Sequence, residues 1–219
     1  MSNLIALLIM LWFLRLMYLI LDKRSPWIFI ITTSIIIFGM LYIMGFRLTA
    51  SSALPMGSHV VESIKTNYGK ALIYEDVNND TFGVAKIERH LGFLYSYDGG
   101  GNGDYIREHH PFAVSGYGSD TEDGFLVGVK IAADSGIKYI VIGDHFENLT
   151  TSDIYYFNMK TVERYPERYH IKEVNDNYVF FVLDEYSEET WTIRGLDEEG
   201  DLVADKLFGS GRNSRYVNW

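Results

Sequence analysis

The amino-acid sequence predicts two N-terminal transmembrane helices followed by a mainly-β soluble domain, either an antiparallel sandwich or a bent sheet, with one short helix. Two apolar runs, residues 3–21 and 27–45, are each close to the ~20 residues that span a bilayer. After them, short stretches of alternating apolar and polar residues are separated by Gly, Asn and Asp, as in strands and turns. These patterns divide the chain into a transmembrane hairpin (1–47), a stalk (48–58) and a soluble domain (59–219).

The basic residues between the apolar runs predict the orientation of the chain. Lys23 and Arg24 lie in this linker, whereas no Lys or Arg precedes the first run, so the positive-inside rule places the linker in the cytoplasm. The soluble domain is then extracytoplasmic, and residues 3–45 contact the lipid bilayer. Arg15 can reach the interface with its long side chain or face the second helix, and an intramembrane charge used for signalling is the functional alternative. Cleavage after Ala53, which would release the domain, is the alternative.

The charge of the soluble part limits its partners. Four of the 19 Lys and Arg residues and one of the 29 Asp and Glu residues precede residue 48, so the remainder has a formal net charge of −13. This charge repels phosphate backbones and anionic lipid headgroups, and we expect no nucleic-acid partner. Cysteine is absent from the sequence, which excludes disulfides, a thiolate nucleophile and cysteine-ligated metal sites.

A short helix is predicted at the start of the soluble domain. Ser58 is a suitable N-cap, and Gly69 follows as a stop. Between them, four apolar residues share one face of a helix: Val60, Val61, Ile64 and Tyr68.

Strand and turn signals fill the rest of the chain. Residues 70–75 and 81–89 flank the turn VNND and predict a hairpin, which residues 91–97 extend by a third strand. Tyr178–Leu183 is apolar at every position and is predicted to be a central strand. A last hairpin returns through DEEG, where Gly200 can take positive φ.

Part of this pattern resembles a known group of proteins. The segments GFLVGVKIAADSGIKYIVIG, YHIKEVNDNYVFFVLDEY and ETWTIRGLDEEGDLVADKL resemble membrane-anchored, uncharacterised extracytoplasmic β-rich domain proteins of Gram-positive bacteria. The resemblance implies an outward-facing β domain and carries over no catalytic residue. In that group the domain usually follows a single anchor or a lipid-modified cysteine, whereas this chain has two apolar runs.

A calcium site is the candidate metal site with the closest spacing. Asp76, Asn78 and Asp80 match the first three ligand positions of a calcium loop. Thr81 replaces the glycine of that loop, and Ile87 stands where a bidentate Glu belongs. Asn and Asp are also preferred in hairpin turns, so a simple turn is the alternative.

Histidines form a second candidate set. His90, His109, His110, His145 and the neighbouring Asp144 could bind a metal ion or transfer protons, because imidazole is a common ligand and proton shuttle. Their spacing matches no metal-binding helix motif, so exposed histidines are the alternative.

The glycine run DGGGNGD, residues 98–104, is predicted to be a mobile loop. The Lys and Ser or Thr of a phosphate-binding loop do not follow it, which leaves a cation site or a partner-binding loop as alternatives. Four tyrosines bracket the run and make residues 95–118 the candidate ligand or partner surface, although Tyr is also common in strands. They are Tyr95, Tyr97, Tyr105 and Tyr117.

Together these patterns favour a membrane-tethered, extracytoplasmic binding or interaction domain without catalysis. The expected partners are the bilayer and a membrane or envelope protein. We expect no cofactor, with calcium as the alternative. Neither Ser115 nor Ser210 fits the G-x-S-x-G motif of a hydrolase. A metal-dependent cell-envelope enzyme and a small accessory subunit of a membrane complex remain the alternatives.

Overall fold

The computed structural model divides the chain into two compact units, Met1–Leu48 and Thr49–Trp219. The structure describes residues 15, 18, 26–102, 110–118, 124–144, 156–184, 191–207 and 216–217.

One helix is described over its full length in the first unit. This helix, α1, runs from Pro26 to Ile43. Gly45 follows it with φ +91°, and the N–H groups of residues 45 and 46 bond back to carbonyls of the final turn, as in many glycine-terminated helices. The predicted first transmembrane helix lies outside the described residues except for Arg15 and Tyr18, which are helical. Among the residues that the structure describes, no helix is both long and apolar enough to cross a membrane.

The second unit is mainly β. Its described elements are a 3-10 turn at Ser51–Ala53 and, in chain order, β1 (Ser58–Lys65), β2 (Gly69–Asp76), β3 (Thr81–His90), β4 (Leu94–Asn102), β5 (Phe112–Tyr117), β6 (Phe125–Ile131), β7 (Tyr139–Asp144), α2 (Met159–Arg164), β8 (Tyr169–Glu173), β9 (Tyr178–Leu183), β10 (Trp191–Leu196), β11 (Leu202–Leu207) and β12 (Tyr216–Val217). Over the described residues the prediction of a mainly-β domain of antiparallel sheets with one short helix is confirmed, although the helix lies at Met159–Arg164 and not after Ser58.

The strands form three antiparallel sheets. The first sheet has the order β1-β2-β3-β4, the middle sheet β5-β6-β9, and the third sheet β12-β11-β10-β7-β8. Consecutive strands β1 to β4 are joined as hairpins, so their connecting turns alternate between the two ends of the first sheet.

The middle sheet is covered on both faces, because successive side chains of a strand point in opposite directions. In β6, Val127 and Val129 pack with the third sheet, whereas Leu126 packs with the first sheet. In β9, Phe181 faces the third sheet and Phe180 the first. The strand β9 is apolar at every position because sheets cover both of its faces, although among the described strands it is not a central strand of the middle sheet.

Glycines allow the first and middle sheets to approach closely. A Cβ atom on Gly128 would lie 2.7 Å from a methyl carbon of Val84, and one on Gly101 would lie 2.1 Å from the carbonyl oxygen of Gly116. The hydroxyl of Ser115 also donates a 2.8 Å hydrogen bond to the carbonyl of Gly101. Residues 98–102 thus belong to β4, and the prediction of a mobile loop over 98–104 is wrong for this part. Residues 103–104 lie outside the described residues.

The outer faces of the two outer sheets are covered by short segments. Ala50 and Leu54 are buried against the first sheet, so residues predicted to form a stalk belong to the folded unit. Phe157 and Val162, which lie just before and within α2, pack against the third sheet. Asn158 caps α2 by accepting a hydrogen bond from the backbone N–H of Thr161.

The helix predicted between Ser58 and Gly69 is wrong, because this segment forms β1. The register of β1 against β2 shifts between Val60 and Glu62, so Val61 is an extra residue in a β-bulge. The bulge turns Val60 toward one face and Val61 with Ile64 toward the other. The resulting spacing of apolar residues resembles one side of a helix, which explains the misassignment.

Other strand predictions are mostly confirmed. The hairpin through VNND is β2 and β3, and the last hairpin is β10 and β11, with Gly200 at φ +84°. The third strand begins at Leu94 instead of residue 91. The prediction that Tyr178–Leu183 is a central strand is wrong, because among the described strands β9 is at the edge of the middle sheet.

The close approach at Gly101 predicts a specific loss of stability. Gly101→Ala should lower the unfolding free energy by about 1–3 kcal/mol, because the new methyl group meets a backbone oxygen that cannot rotate away. Gly116→Ala is the matched control, since its Cβ would have no neighbour closer than 3.8 Å. Urea unfolding of the full chain measures both, and equal losses would contradict this packing.

Candidate functional site

A basic cleft lies at one end of the first sheet, where the β1–β2 and β3–β4 turns lie side by side. It has a volume of about 350 Å³. The backbone N–H of Arg89, near the end of β3, donates a 2.9 Å hydrogen bond to the carbonyl of Tyr68, which joins the β1–β2 turn to β3. The cleft is lined by the β1–β2 turn and by Lys65, Lys70, Arg89, Gly92 and Tyr95.

Two lysines lie side by side on the strands that line this cleft. Lys65 and Lys70 are register partners in β1 and β2, so their side chains leave the same face of the sheet. Like charges directly opposite each other destabilise a sheet. Within the described part of the chain neither lysine forms an ion pair, and no carboxylate is among the described residues that line the cleft. The two ammonium groups therefore repel each other, and water around the exposed Lys65 screens part of that repulsion.

Arg89 adds a third positive charge and is held in place. Its Nε atom donates a 2.7 Å hydrogen bond to the carbonyl oxygen of Gly92, and an Nη atom donates to the same oxygen. Because Gly92 belongs to the β3–β4 turn, the guanidinium is fixed against that turn. Three cations are thus gathered in a part of the chain whose formal net charge is −13.

The β1–β2 turn is built from its own side chains. The hydroxyl of Thr66 accepts a hydrogen bond from the N–H of Gly69, and the side chain of Asn67 accepts one from the N–H of Tyr68. Gly69 has φ +148°, and a Cβ atom there would lie 2.5 Å from the carbonyl oxygen of Ile87. Only glycine fits this position, because any side chain would push β2 away from β3.

The β3–β4 turn is strained and exposes apolar residues. Leu91 has φ +51° and Gly92 φ +81°, a pair of left-handed conformations that is typical of a tight hairpin turn. For leucine this conformation costs about 1–2 kcal/mol. Leu91 is 83% exposed and Phe93 is 53% exposed, so neither side chain recovers that cost by burial.

A second polar cluster occupies the opposite face of β3. The ammonium group of the buried Lys86 lies 2.9 Å from the carboxylate of Asp98, the bulged residue of β4, and 5.0 Å from the ring centroid of Tyr68. Glu88 is 3.8 Å from the same ammonium group. These contacts supply the buried ammonium group with opposite charge and an aromatic face, so that it is not left unpaired between β3 and β4.

His90, one of the predicted metal or acid-base residues, joins the edge of this cluster. Its Nε2 atom is 2.8 Å from the hydroxyl of Ser96 and 3.5 Å from a carboxylate oxygen of Glu88. In a nucleophilic triad the carboxylate and the hydroxyl bond to different ring nitrogens. Here both face Nε2, so this geometry does not activate Ser96 as a nucleophile.

A third polar cluster links the first and middle sheets. The carboxylate of Glu75 accepts a hydrogen bond from the hydroxyl of Tyr178 and lies 3.2 Å from the ammonium group of Lys130. The bond from Tyr178 lowers the pKa of Glu75, and Lys130 acts in the same direction. Burial and the bond to Glu75 raise the pKa of Tyr178. This arrangement keeps a charged carboxylate at the rim of an apolar interface, where it positions two sheets.

The residues of the predicted calcium site lie at the end of β2 and in the turn between β2 and β3. The carboxylate of Asp76 accepts hydrogen bonds from the backbone N–H groups of Asn78 and Asn79 and from the side chain of Asn79. The side-chain amide of Asn78 donates to the carbonyl of Met56, and Asp80 has φ +51°. The carboxylate of Asp76 thus stabilises the turn through hydrogen bonds within it. Among the described residues no group of three or more His, Cys, Asp or Glu side chains is arranged to hold a metal ion.

The remaining predicted metal and acid-base residues are dispersed or undescribed. His109 and His145 lie outside the described residues, and His110 is half-buried just before β5. Asp144 forms a 2.9 Å ion pair with Arg168 at the end of β7. The metal and calcium assignments therefore stay predictions.

The predicted tyrosine surface is divided among different places. Tyr95 lines the basic cleft, whereas Tyr117 packs between the first and middle sheets. Tyr97 is partly exposed, and burial of its hydroxyl raises its pKa. Tyr105 lies outside the described residues. Of the three described tyrosines, Tyr95 is thus the one that lines the cleft.

Comparison with known proteins leaves the site without a reference. No family model matches the sequence, and no curated protein or solved structure matches the chain.

Proposed function

We propose that this chain is a membrane-tethered, extracytoplasmic binding domain that acts without catalysis, and that its basic cleft holds an anionic group of the ligand. The observation that carries the proposal is the facing pair Lys65 and Lys70 beside Arg89, without a carboxylate among the described lining residues. An anion bound between these cations would offset their mutual repulsion and would form charge-assisted hydrogen bonds.

The shape and composition of the cleft support this proposal. Tyr68 and Tyr95 supply apolar walls with polar tips, a residue type that is favoured at recognition surfaces. Arg89 is held by Gly92 before any ligand arrives, so less side-chain freedom is lost on binding. The β1–β2 turn is also tied to the end of β3 by the hydrogen bond from the backbone N–H of Arg89 to the carbonyl of Tyr68, which helps to hold the cleft in shape.

The membrane tether is supported by the first unit. The sequence has two apolar runs of nearly bilayer length. In α1, large apolar side chains are exposed, a property that in this amount indicates contact with lipid or with another protein. They are Trp27, Ile30, Ile31, Ile35, Phe38, Tyr42 and Ile43. Lys23 and Arg24 in the linker favour an extracytoplasmic second unit.

The tether predicts both the location and the orientation of the chain. We expect the full chain to stay in the membrane fraction after alkaline carbonate extraction, and a reporter enzyme fused after Trp219 to be active only outside the cytoplasm. Replacing Lys23 and Arg24 with glutamate removes the positive-inside signal and should scramble the orientation. Release by carbonate would contradict the tether, and a reporter that is active only in the cytoplasm would contradict the orientation.

The cleft predicts that removing both lysine charges weakens anion binding without lowering stability. Lys65→Gln combined with Lys70→Gln should weaken pyrophosphate binding at least tenfold, because hydrogen bonds to charged groups contribute about 1.5–3 kcal/mol each. The unfolding free energy should stay the same or rise, because the like-charge repulsion is removed. Thermophoresis and urea unfolding of the full chain in uncharged detergent micelles measure the two quantities.

Lys160→Gln provides the matched control for this test. Lys160 is an exposed lysine on α2, away from the residues that line the cleft, and its loss should leave pyrophosphate affinity unchanged. Equal affinity in the wild-type and cleft variants would remove the basis of the proposal. A lower unfolding free energy in the cleft variants would instead indicate that the lysine pair serves the fold.

A further inference from the structure

We propose that Leu91 and Phe93, here called the apolar tip, dock together with the basic cleft on a bilayer surface that carries anionic lipid headgroups. The inference rests on the proposed function, since it assigns the anionic group in the cleft to a lipid phosphate. It adds a role for two residues that the cleft alone does not explain.

The apolar tip is unexplained by the fold. Leu91 adopts a left-handed conformation that glycine or asparagine would adopt more easily, and its side chain is almost fully exposed. Phe93, two residues along the same turn, is also exposed. Large apolar residues at a strained, solvent-facing turn add nothing to the core, so contact with an apolar environment outside the domain accounts for them better.

The tip and the cleft form one surface. Gly92 lies between Leu91 and Phe93 in the chain and also lines the cleft, while its carbonyl anchors the guanidinium of Arg89. Apolar side chains next to Lys and Arg are the composition of segments that lie in the interface of a membrane. The apolar groups enter the headgroup layer, and the cations meet the lipid phosphates.

The charge distribution favours this end of the first sheet as the surface that contacts an anionic bilayer. At the opposite end, Val77 is also exposed in a turn, but its neighbours are Asp76, Asn78 and Asp80. An anionic bilayer would repel that turn and attract the cleft. The acidic net charge of the remaining surface is weakened by salt over a distance of about 8 Å, so the local cations determine contact at close range.

The sequence permits a direct test, because the chain contains no cysteine. Leu91→Cys in the full chain is labelled with an environment-sensitive fluorophore and reconstituted in vesicles of phosphatidylcholine, or of equal parts phosphatidylcholine and phosphatidylglycerol. We expect blue-shifted emission and quenching by spin-labelled lipid in the anionic vesicles only. Phe93→Cys should behave in the same way, which provides a second variant if the first fails to fold.

Two controls separate docking from general proximity to the membrane. A label at Val77→Cys should stay in water in both kinds of vesicle. Adding Lys65→Glu and Lys70→Glu to the Leu91→Cys chain should abolish the shift, because the headgroup contacts are lost. A Leu91 label that reports water in anionic vesicles, or that shifts equally in neutral vesicles, would overturn the inference.

The outcome also separates this inference from the proposed function. If the cleft binds pyrophosphate and the Leu91 label remains in water, lipid docking is wrong and a soluble or protein-borne anion is the ligand. If the cleft binds no anion and the label remains in water, both proposals fail. A shift that survives charge reversal of the lysines also overturns the inference, because the tip would then contact an apolar partner without the cleft.

Discussion

The fold of the second unit depends on the burial of the middle sheet on both faces. Successive side chains of its strands point to opposite faces and are apolar on both, so each face must be covered by another sheet. The first and third sheets meet this requirement, and their own outer faces are then covered by short segments at Ala50 to Leu54 and around α2. The polar contact of Glu75 with Tyr178 and Lys130 marks the rim of one of these interfaces.

This arrangement leaves one end of the first sheet available for function. The core holds β2 and β3 in register, which fixes the relative positions of the β1–β2 and β3–β4 turns. Side chains in these turns can therefore serve binding, even where they lower the free energy of unfolding. The paired lysines place like charges opposite each other, and Leu91 is an exposed apolar residue with positive φ. Both arrangements are locally unfavourable, and neither improves the packing of the core.

Local signals made much of the fold predictable from the sequence. VNND and DEEG are turn sequences between alternating strands, so both hairpins follow from the local pattern of residues alone. The helix predicted after Ser58 failed because the bulge at Val61 changes the strand period. The central position assigned to β9 failed because burial on both faces arises here from stacked sheets, which no single strand encodes.

The candidate site was much less predictable than the fold. Lys65 and Arg89 are distant in sequence and meet only through the register of three strands, so spacing alone does not group them. One local signal was present, because two lysines flank the turn TNYG, but the helix assignment placed these residues on a different kind of element. The predicted tyrosine surface depends on nearness to a glycine run, and the described part of that run, residues 98–102, belongs to a closely packed strand.

The central claim, that the doubly covered middle sheet holds the unit together, is tested most directly by native-state hydrogen exchange of the full chain. Amide protons of Phe125–Ile131 should exchange only through global unfolding, with the free energy measured by urea, while the amides of the β1–β2 and β3–β4 turns exchange through smaller openings. Exchange of β6 with a lower free energy than the inner strands of the first and third sheets would contradict the claim.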